Sequence, residues 1–159
     1  MKISVYTLIL ILLVFIQCAT PNEVVSQKDI HLKKYTFPEV EELLQIDKRK
    51  IAVFIHTSWC KFCHSMKQTT LKSKSVIEKL NKEFYFIDFN AEEKESISYG
   101  GRTFHFKASG SNSGVHELAE TIGSIDGELT FPAFVILDQD NQIIFQHNVF
   151  LSESEMEAV

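Results

Sequence analysis

The chain has 159 residues, of which 45% are hydrophobic and 23% are charged, and its formal net charge is −5. This composition is typical of a globular protein rather than a disordered chain, and the length suits one domain with a hydrophobic core. Because lysines are scattered among the acids and form no basic stripe, the charge argues against nucleic acid as a partner. Three cysteines are too few for a disulfide scaffold.

The N-terminus has the pattern of an export signal. Lys2 precedes an unbroken apolar run over residues 8–16, which is shorter than the roughly twenty residues that span a membrane. We therefore predict a signal peptide over residues 1–19 and an exported domain in the periplasm or the cell envelope. Cys18 lies where a bacterial lipoprotein signal places the cysteine that is acylated, although Gln17 is larger than the residue usually found before it. Three possibilities stay open. Cys18 is acylated, which would be the one contact with a membrane; or simple cleavage discards Cys18; or the segment stays as an uncleaved anchor.

The next residues predict a tether and the first elements of a domain that spans 29–159. Residues 20–28 contain few large apolar side chains, which is typical of a tether. Apolar residues alternate with polar ones over 30–34, which predicts a short first strand. From Pro38 onward, apolar residues recur every three or four positions, which predicts a helix with acidic residues near its N-terminus.

Two cysteines three positions apart follow a strongly apolar stretch. Residues 51–55 are β-branched, aromatic or small, and Cys60 and Cys63 come soon after them. We interpret this pattern as a buried strand that leads to a Cys-x-x-Cys pair in the first turn of a helix. The N-terminus of a helix favours a thiolate, and the spacing i, i+3 brings both sulfurs within disulfide reach. Cys60, nearer the helix start, is the expected attacking thiol, and Cys63 is the expected resolving thiol.

Two helices and a strand are predicted around and after the cysteine pair. The helical spacing of apolar residues continues until the polar residues 73–75 interrupt it. Ser75 with Glu78 matches a capping box, which predicts the start of a second helix. Residues 84–89 are apolar on both faces, so we expect a strand in the centre of a sheet.

Residues 91–114 are the irregular part of the chain, and we expect them to be an insertion in the domain. Four of the six glycines lie between positions 100 and 114. Residues 97–106 predict a hairpin with its turn at Gly100-Gly101, and residues 107–114 predict a loop. A surface excursion that packs its aromatic residues on the domain and a flap that faces a partner both stay open.

The C-terminal part predicts a helix, a β-hairpin and a final helix. Residues 116–122 have an amphipathic helical pattern that ends at the next glycine. Residues 133–137 and 142–147 predict two strands joined by a polar turn. Ser152 with Glu155 forms another capping box, which predicts a short last helix.

Two motifs, in this order, resemble the thioredoxin superfamily. Residues 59–63 read W-C-K-F-C after the predicted buried strand, as in that family's W-C-x-x-C motif, and residues 131–133 read F-P-A, as around its later cis-proline. The order and spacing of the elements fit from about residue 29 to the C-terminus. Within the superfamily, the chain is similar to envelope members such as the C-terminal domain of bacterial transmembrane thiol:disulfide interchange reductases, through the run of residues 75–81 that leads to Phe84 and Asp88.

The resemblance implies a fold and a site. The fold is a thioredoxin-like three-layer α/β sandwich, with a mixed central sheet and helices on both faces. The site has Cys60 and Cys63 as the catalytic, redox-active pair, with Trp59, Phe131 and a cis Pro132 contacting the substrate chain. Trp59 would either pack beside the pair and shield it or lie in the core.

The resemblance also implies a function. We expect an exported thiol–disulfide oxidoreductase that reduces or isomerises protein disulfides, with protein thiols and disulfides and an upstream redox protein as partners, and with no cofactor and no metal. Many members of the superfamily carry a buried acid six residues before the first cysteine, where this chain has Phe54. Proton transfer from Cys63 must therefore use water, an acid placed elsewhere, or neither.

Other interpretations of the cysteine pair stay open at this point. A structural zinc site needs four ligands, usually from two such pairs, and the sequence has one. Cys60, Cys63 and His64 formally match the C-x-x-C-H motif of covalent haem attachment, but a buried strand leading into the motif is not typical of haem proteins. An inert structural disulfide and a non-catalytic binding or chaperone-like module are the remaining alternatives.

Overall fold

The structure, a computed structural model, describes residues 30–111 and 113–159. The predicted signal peptide, the tether and Cys18 lie outside these residues and stay predictions. In the described ranges no helix is long and apolar enough to cross a membrane, and no three or more His, Cys, Asp or Glu side chains are grouped to hold a metal ion. In chain order the elements are α1 (Phe37–Leu43), β1 (Lys50–His56), α2 (Lys61–Gln68), a 3₁₀ turn (Thr70–Lys72), α3 (Lys74–Glu83), β2 (Phe84–Asn90), β3 (Ile97–Tyr99), β4 (Arg102–Phe104), β5 (Phe106–Ala108), β6 (Gly114–His116), α4 (Glu117–Gly123), β7 (Ala133–Leu137), β8 (Ile143–His147) and α5 (Glu153–Ala158).

A four-stranded sheet with the strand order β2-β1-β7-β8 forms the centre of the domain. β1 pairs parallel with β2, and β7 pairs antiparallel with both β1 and β8, so the sheet is mixed. Residues 51–55 of β1 are completely buried, because strands flank β1 on both sides and helices cover both faces. A strand in this position needs apolar side chains on both faces, which explains its unbroken apolar run.

Helices cover the two faces of the sheet and create two hydrophobic clusters. Side chains of α2, α3 and α5 pack on one face, with Met66, Val76 and Met156 among the buried residues. Side chains of α1 and α4 pack on the other face, where Val40 and Leu118 are buried. The domain therefore has the three predicted layers.

Capping residues explain where the first and last helices begin. Thr36 caps α1 in a capping box with Glu39, and Pro38 lies in the first turn. Ser152 caps α5 in a capping box with Glu155, as predicted. Each box supplies hydrogen-bond partners to N–H groups that have none within the helix.

Two predictions about the sheet are wrong. β2 lies at an edge of the four-stranded sheet rather than in its centre, and residues 30–34 form no strand. The two errors have one cause, because the segment 30–36 lies beside the outer edge of β2 without joining the sheet. The Tyr35 N–H donates to the carbonyl of Phe86 at 2.9 Å. β2 is therefore buried on both faces and partly covered at its edge, which gives it the composition of a central strand.

The predicted capping box of Ser75 and Glu78 does not form. α3 begins at Lys74, and Ser73 occupies the cap position without a side-chain hydrogen bond to the helix. The hydroxyls of Ser73 and Ser75 instead donate to the carboxylate of Glu153. This long-range carboxylate replaces the local cap, and it joins the start of α3 to the start of α5.

The irregular region between β2 and α4 contains two short hairpins. β3 and β4 pair antiparallel as predicted, and Gly100 and Gly101 form the turn with φ values of 60° and 72°. Glycine adopts these left-handed values at no steric cost, as a two-residue hairpin turn requires. Phe106 does not extend this hairpin, because β5 pairs with β6 and forms a second hairpin where the sequence predicted a loop.

Candidate redox site

Strand β1 ends in the turn that carries the cysteine pair. Cys60 occupies the cap position of α2, and Cys63 lies in the first turn of the helix. The two residues form a disulfide, with an S–S distance of 1.94 Å and their Cα atoms 5.2 Å apart. The predicted arrangement of a buried strand followed by a cysteine pair at a helix start is confirmed.

The two sulfur atoms differ in exposure and in hydrogen bonding. Cys60 is 7% exposed and Cys63 is 1% exposed. The backbone N–H of Cys63 donates to Cys60 Sγ at 3.0 Å. N–H groups in the first turn of a helix have no partner within the helix and favour negative charge. This geometry is consistent with Cys60 as the attacking thiol and Cys63 as the resolving thiol, and the two roles stay predictions.

Trp59 stands at the protein surface beside the pair. It is 66% exposed, so the alternative that places it in the core is wrong. Its indole Nε1–H donates to Glu92 Oε1 at 3.1 Å. Its ring packs edge to face against Phe131, with 5.9 Å between the ring centroids. These two contacts hold a large apolar ring next to Cys60.

A cis peptide bond joins Phe131 to Pro132 directly before β7, as the resemblance implied. The pairing of Ala133 with Ile55 places these two residues beside the end of β1, which leads to the cysteine pair. Pro132 is buried, and Phe131 is half-buried and packs against both hydrophobic clusters. The structure thus brings Trp59, Phe131 and Pro132 to the cysteines, while their part in substrate binding stays a prediction.

Glu92 is a residue of the site that the sequence pattern did not reveal. Its Oε2 accepts hydrogen bonds from Ser58 N at 3.1 Å and Ser58 Oγ at 3.0 Å, and its Oε1 accepts the one from Trp59. Burial alone would raise the pKa of Glu92, but the hydrogen bonds from Ser58 and Trp59 outweigh burial and leave the pKa below its ordinary value. Only the position of Glu92 after a predicted strand could have indicated its role, because residues just past the ends of the parallel strands β1 and β2 meet at one edge of the sheet.

A group of polar side chains around Asp88, here named the Asp88 cluster, lies next to Phe54. Phe54 belongs to the same hydrophobic cluster as both cysteines, and in the pairing of β1 with β2 it lies opposite Asp88. The Asp88 carboxylate lies 2.6 Å from Lys34 Nζ, 2.8 Å from Lys67 Nζ and 3.0 Å from His56 Nε2. The His56 ring stacks on the Phe54 ring with 5.6 Å between centroids. Phe54 therefore packs against the Asp88 cluster as well as the core around the cysteines.

Three contacts within the Asp88 cluster keep its carboxylate ionised. Burial alone would raise the pKa of Asp88, but the contacts with His56, Lys34 and Lys67 outweigh burial and hold the pKa far below its ordinary value. A carboxylate this acidic is a poor base for a thiol. An acid placed away from position 54 is thus present, but its ion pairs make it unsuited to accept the proton of Cys63.

Comparisons with solved structures find similar folds at low sequence identity. A DsbH oxidoreductase is 18% identical, with a TM-score of 0.53 and coverage of 75% of this chain and 74% of the other. A thioredoxin from Thermus thermophilus is 20% identical, with a TM-score of 0.54 and coverage of 78% of this chain and 80% of the other. A disulphide isomerase from Xylella fastidiosa Temecula1 is 13% identical, with a TM-score of 0.50 and coverage of 84% of this chain and 89% of the other. At these identities the comparisons establish the fold, and the predicted thioredoxin-like sandwich is confirmed.

The family follows from a match that covers most of the chain. A search of curated protein sequences finds no match. The family model described as a thioredoxin-like domain matches residues 37–159, which include both the cysteine pair and the cis-proline. The chain belongs to the thioredoxin-like family.

Proposed function

We propose that the protein is a thiol–disulfide oxidoreductase that acts on protein disulfides through Cys60 and Cys63. The observation that carries the proposal is the cysteine pair at the start of α2, where Cys60 is the more exposed residue and its sulfur accepts an N–H from the first turn. Two of the structurally similar proteins are described as an oxidoreductase and a disulphide isomerase, which is consistent with this chemistry.

The geometry supports a two-step exchange, written here in the reducing direction. The thiolate of Cys60 attacks one sulfur of a substrate disulfide, and the other substrate sulfur leaves as a thiolate that takes up a proton. The thiol of Cys63 then loses its proton and attacks Cys60 Sγ, which releases the second substrate sulfur. The substrate gains two electrons, and the protein ends with the Cys60–Cys63 disulfide. An upstream protein dithiol must reduce this disulfide before the next cycle.

Deprotonation of Cys63 is the step to which the chain's own side chains contribute least. Phe54 stands where many relatives carry an acid, and Asp88 on the neighbouring strand is held as an ion-paired carboxylate. We infer that water accepts the proton of Cys63. The mixed disulfide should therefore form faster than it is resolved.

We propose that the domain works outside the cytoplasm, in the periplasm or the cell envelope. The sequence pattern of an export signal supports this location, and disulfides persist in such oxidising compartments. Acylation at Cys18 would add a membrane anchor. Metabolic labelling with a fatty acid that is lost in Cys18→Ala would establish the anchor, and an unlabelled mature form would establish simple secretion.

Trapping of substrates tests the exchange reaction directly. Cys63→Ser keeps the attacking thiol and lacks the resolving thiol, so mixed disulfides with host proteins should accumulate and be released by a reductant. Cys60→Ser is the matched control and should trap few or none.

In the same two variants, Cys60 should react with iodoacetamide faster than Cys63 at neutral pH. If both cysteines of the wild-type protein stay free thiols across a wide range of glutathione redox ratios, the pair is not redox-active and a non-catalytic module is the better description.

A further inference from the structure

The exposure of aromatic side chains around Cys60 is unlike that elsewhere in the structure. Trp59 and Phe62 are each 66% exposed, whereas every other Phe, Tyr or Trp in residues 30–111 and 113–159 is buried or half-buried. Exposed aromatic rings leave a large apolar area in water, which is unfavourable for an isolated protein. Their placement on both sides of the more exposed cysteine indicates a surface that is covered while the protein works.

The two exposed rings are held in different ways. Trp59 is fixed by its hydrogen bond to Glu92 and by its packing on Phe131. Phe62 lies in the first turn of α2, and it makes no ring contact with another aromatic residue in the described part of the chain. Trp59 is thus a fixed apolar wall and Phe62 an adaptable one, and they belong to the turn and the first helical turn that carry Cys60.

The largest apolar groups at this surface are the two rings. The carboxylate of Glu92, which lies beside Trp59, accepts hydrogen bonds from Ser58 and Trp59, so part of its capacity to bind a cation of the substrate is already used. Exposed Lys61 lies between Cys60 and Phe62 in sequence and carries a charge, so a test of the two rings must hold the charge of the substrate constant. Contacts with the two rings depend on the apolar character of the residues next to the substrate cysteine.

We propose that Phe62, with Trp59 as the fixed wall, selects disulfides whose cysteines are flanked by large apolar residues. The proposal rests on the proposed function, because it concerns the substrate of the same cysteine pair. Large apolar residues are mostly buried in folded proteins. The substrates of this site are therefore unfolded or misfolded polypeptide segments rather than small soluble disulfides or disulfides on a polar surface.

A pair of matched peptide substrates tests the selection. Both peptides contain the same disulfide and have the same length and net charge, but one carries Leu and the other Ser on either side of each cysteine. With the reduced wild-type protein, we expect kcat/KM to be about tenfold higher for the Leu peptide, as for other discriminations by apolar contact. Phe62→Ser should lower this ratio to within about threefold by raising KM for the Leu peptide. Phe62→Leu should retain most of the ratio.

The control variant and the failing outcomes separate this proposal from the proposed function. Ile46→Ser removes an apolar side chain that is 86% exposed and lies before the start of β1, away from the cysteines, so it should leave the ratio unchanged. Equal kcat/KM for the two peptides in the wild-type protein, or an unchanged ratio in Phe62→Ser, would overturn the selection by Phe62 and leave the exchange reaction standing. If the wild-type protein reduced neither the two peptides nor glutathione disulfide, both the selection by Phe62 and the proposed exchange reaction would be overturned.

Discussion

Two carboxylates near the end of β2, Asp88 and Glu92, differ in the kind of group that stabilises their negative charge. Asp88 lies between the ammonium groups of Lys34 and Lys67 and beside the His56 imidazole. Within residues 30–111 and 113–159, Glu92 accepts hydrogen bonds from three uncharged donors: the Ser58 backbone, the Ser58 hydroxyl and the Trp59 indole. Burial opposes ionisation of both groups, and in both the pKa nevertheless lies below the ordinary value.

The partners of the two carboxylates come from different parts of the fold, and this decides what each carboxylate does. The partners of Asp88 belong to the segment 30–36, to β1 and to α2, so the Asp88 cluster joins β2 to three other parts of the domain. The donors to Glu92 all belong to the turn directly before Cys60. We infer that Asp88 supports the fold and that Glu92 supports the site.

The largest expected effect comes from Asp88→Asn, which breaks the Asp88 cluster. The variant leaves the ammonium groups of Lys34 and Lys67 beside the His56 ring without a counter-charge. Removing one partner of a fully buried ion pair costs about 3–5 kcal/mol, and we expect about 2–3 kcal/mol here because exposure of the lysines to solvent screens part of the repulsion. Urea unfolding of the oxidised proteins would measure the change in the free energy of unfolding.

Asp47→Asn is the matched control for this prediction. Asp47 pairs with Arg49 at the surface, with Asp47 Oδ2 2.6 Å from Arg49 Nε and the side chains 50% and 34% exposed. Its loss should cost less than about 1 kcal/mol, as is usual for exposed ion pairs. A loss in Asp88→Asn no larger than in Asp47→Asn would show that the Asp88 cluster does not hold the fold together.

A smaller effect is expected from His116, which sharpens the comparison because it is a buried titratable group that forms no ion pair among the described residues. His116 is fully buried, and its Nδ1 accepts the Leu118 N–H at 3.2 Å at the start of α4. Burial lowers the pKa of His116 below its ordinary value of 6.5 and outweighs the opposing effects of the Glu95 carbonyl and the Glu117 and Glu93 carboxylates, while the nearby His105 lowers it further. The unfolded chain therefore binds this proton at a higher pH than the folded chain. Stability is complete above pH of about 6.5 and falls as the pH decreases below it.

Unfolding at pH 7.5 and pH 5.5 of wild type and His116→Asn would isolate this titration. Asparagine is a good helix cap that does not titrate, so the variant should lose about 1 kcal/mol less than wild type between the two pH values. The two carboxylates do not interfere, because their pKa values are lowered from 3.8 and 4.5 and their contributions are lost only at lower pH. An equal pH dependence in the variant would locate the titrating group elsewhere.

Local patterns predicted most of the elements and the centre of the site. The apolar run before Cys60 is a buried strand, both cysteines lie at the start of a helix, and the capping box of Ser152 forms. These features depend on residues that are neighbours in sequence, and the hydrogen-bonding and packing preferences of neighbours are visible without the fold. The cis bond before Pro132 was implied by the family resemblance rather than by local pattern.

The errors and omissions all involve contacts between residues far apart in sequence. The edge position of β2 depends on the segment 30–36, which gives β2 the burial of a central strand. The predicted cap of α3 does not form because Ser73 and Ser75 donate to Glu153, which is about 80 residues away in sequence. Glu92 reaches Ser58 and Trp59 because two parallel strands end together, and composition around position 92 carries no sign of that meeting.

The smallest expected change in stability comes from Glu92→Ala, which tests the other half of the comparison. All three donors to Glu92 can turn to water in the variant, so the free energy of unfolding should fall by only about 0.5–1 kcal/mol. The larger change should be local. Trp59 is the single tryptophan of the chain, so fluorescence anisotropy reports on its ring alone. The anisotropy should fall, because the indole loses its hydrogen bond and keeps only its packing on Phe131.

Glu93→Ala is the matched control, because Glu93 is the neighbouring acid and, in the described part of the chain, its side chain accepts hydrogen bonds from the N–H groups of Lys94 and Glu95 rather than from Ser58 or Trp59. It should leave the anisotropy of Trp59 unchanged. If Glu92 supports the site, a freer Trp59 should also raise KM for a peptide disulfide with apolar flanks, while Asp88→Asn should leave that KM near the wild-type value at temperatures where the variant is folded. An unchanged anisotropy in Glu92→Ala would mean that Phe131 alone holds the ring, and the division between a carboxylate for the fold and a carboxylate for the site would then be wrong.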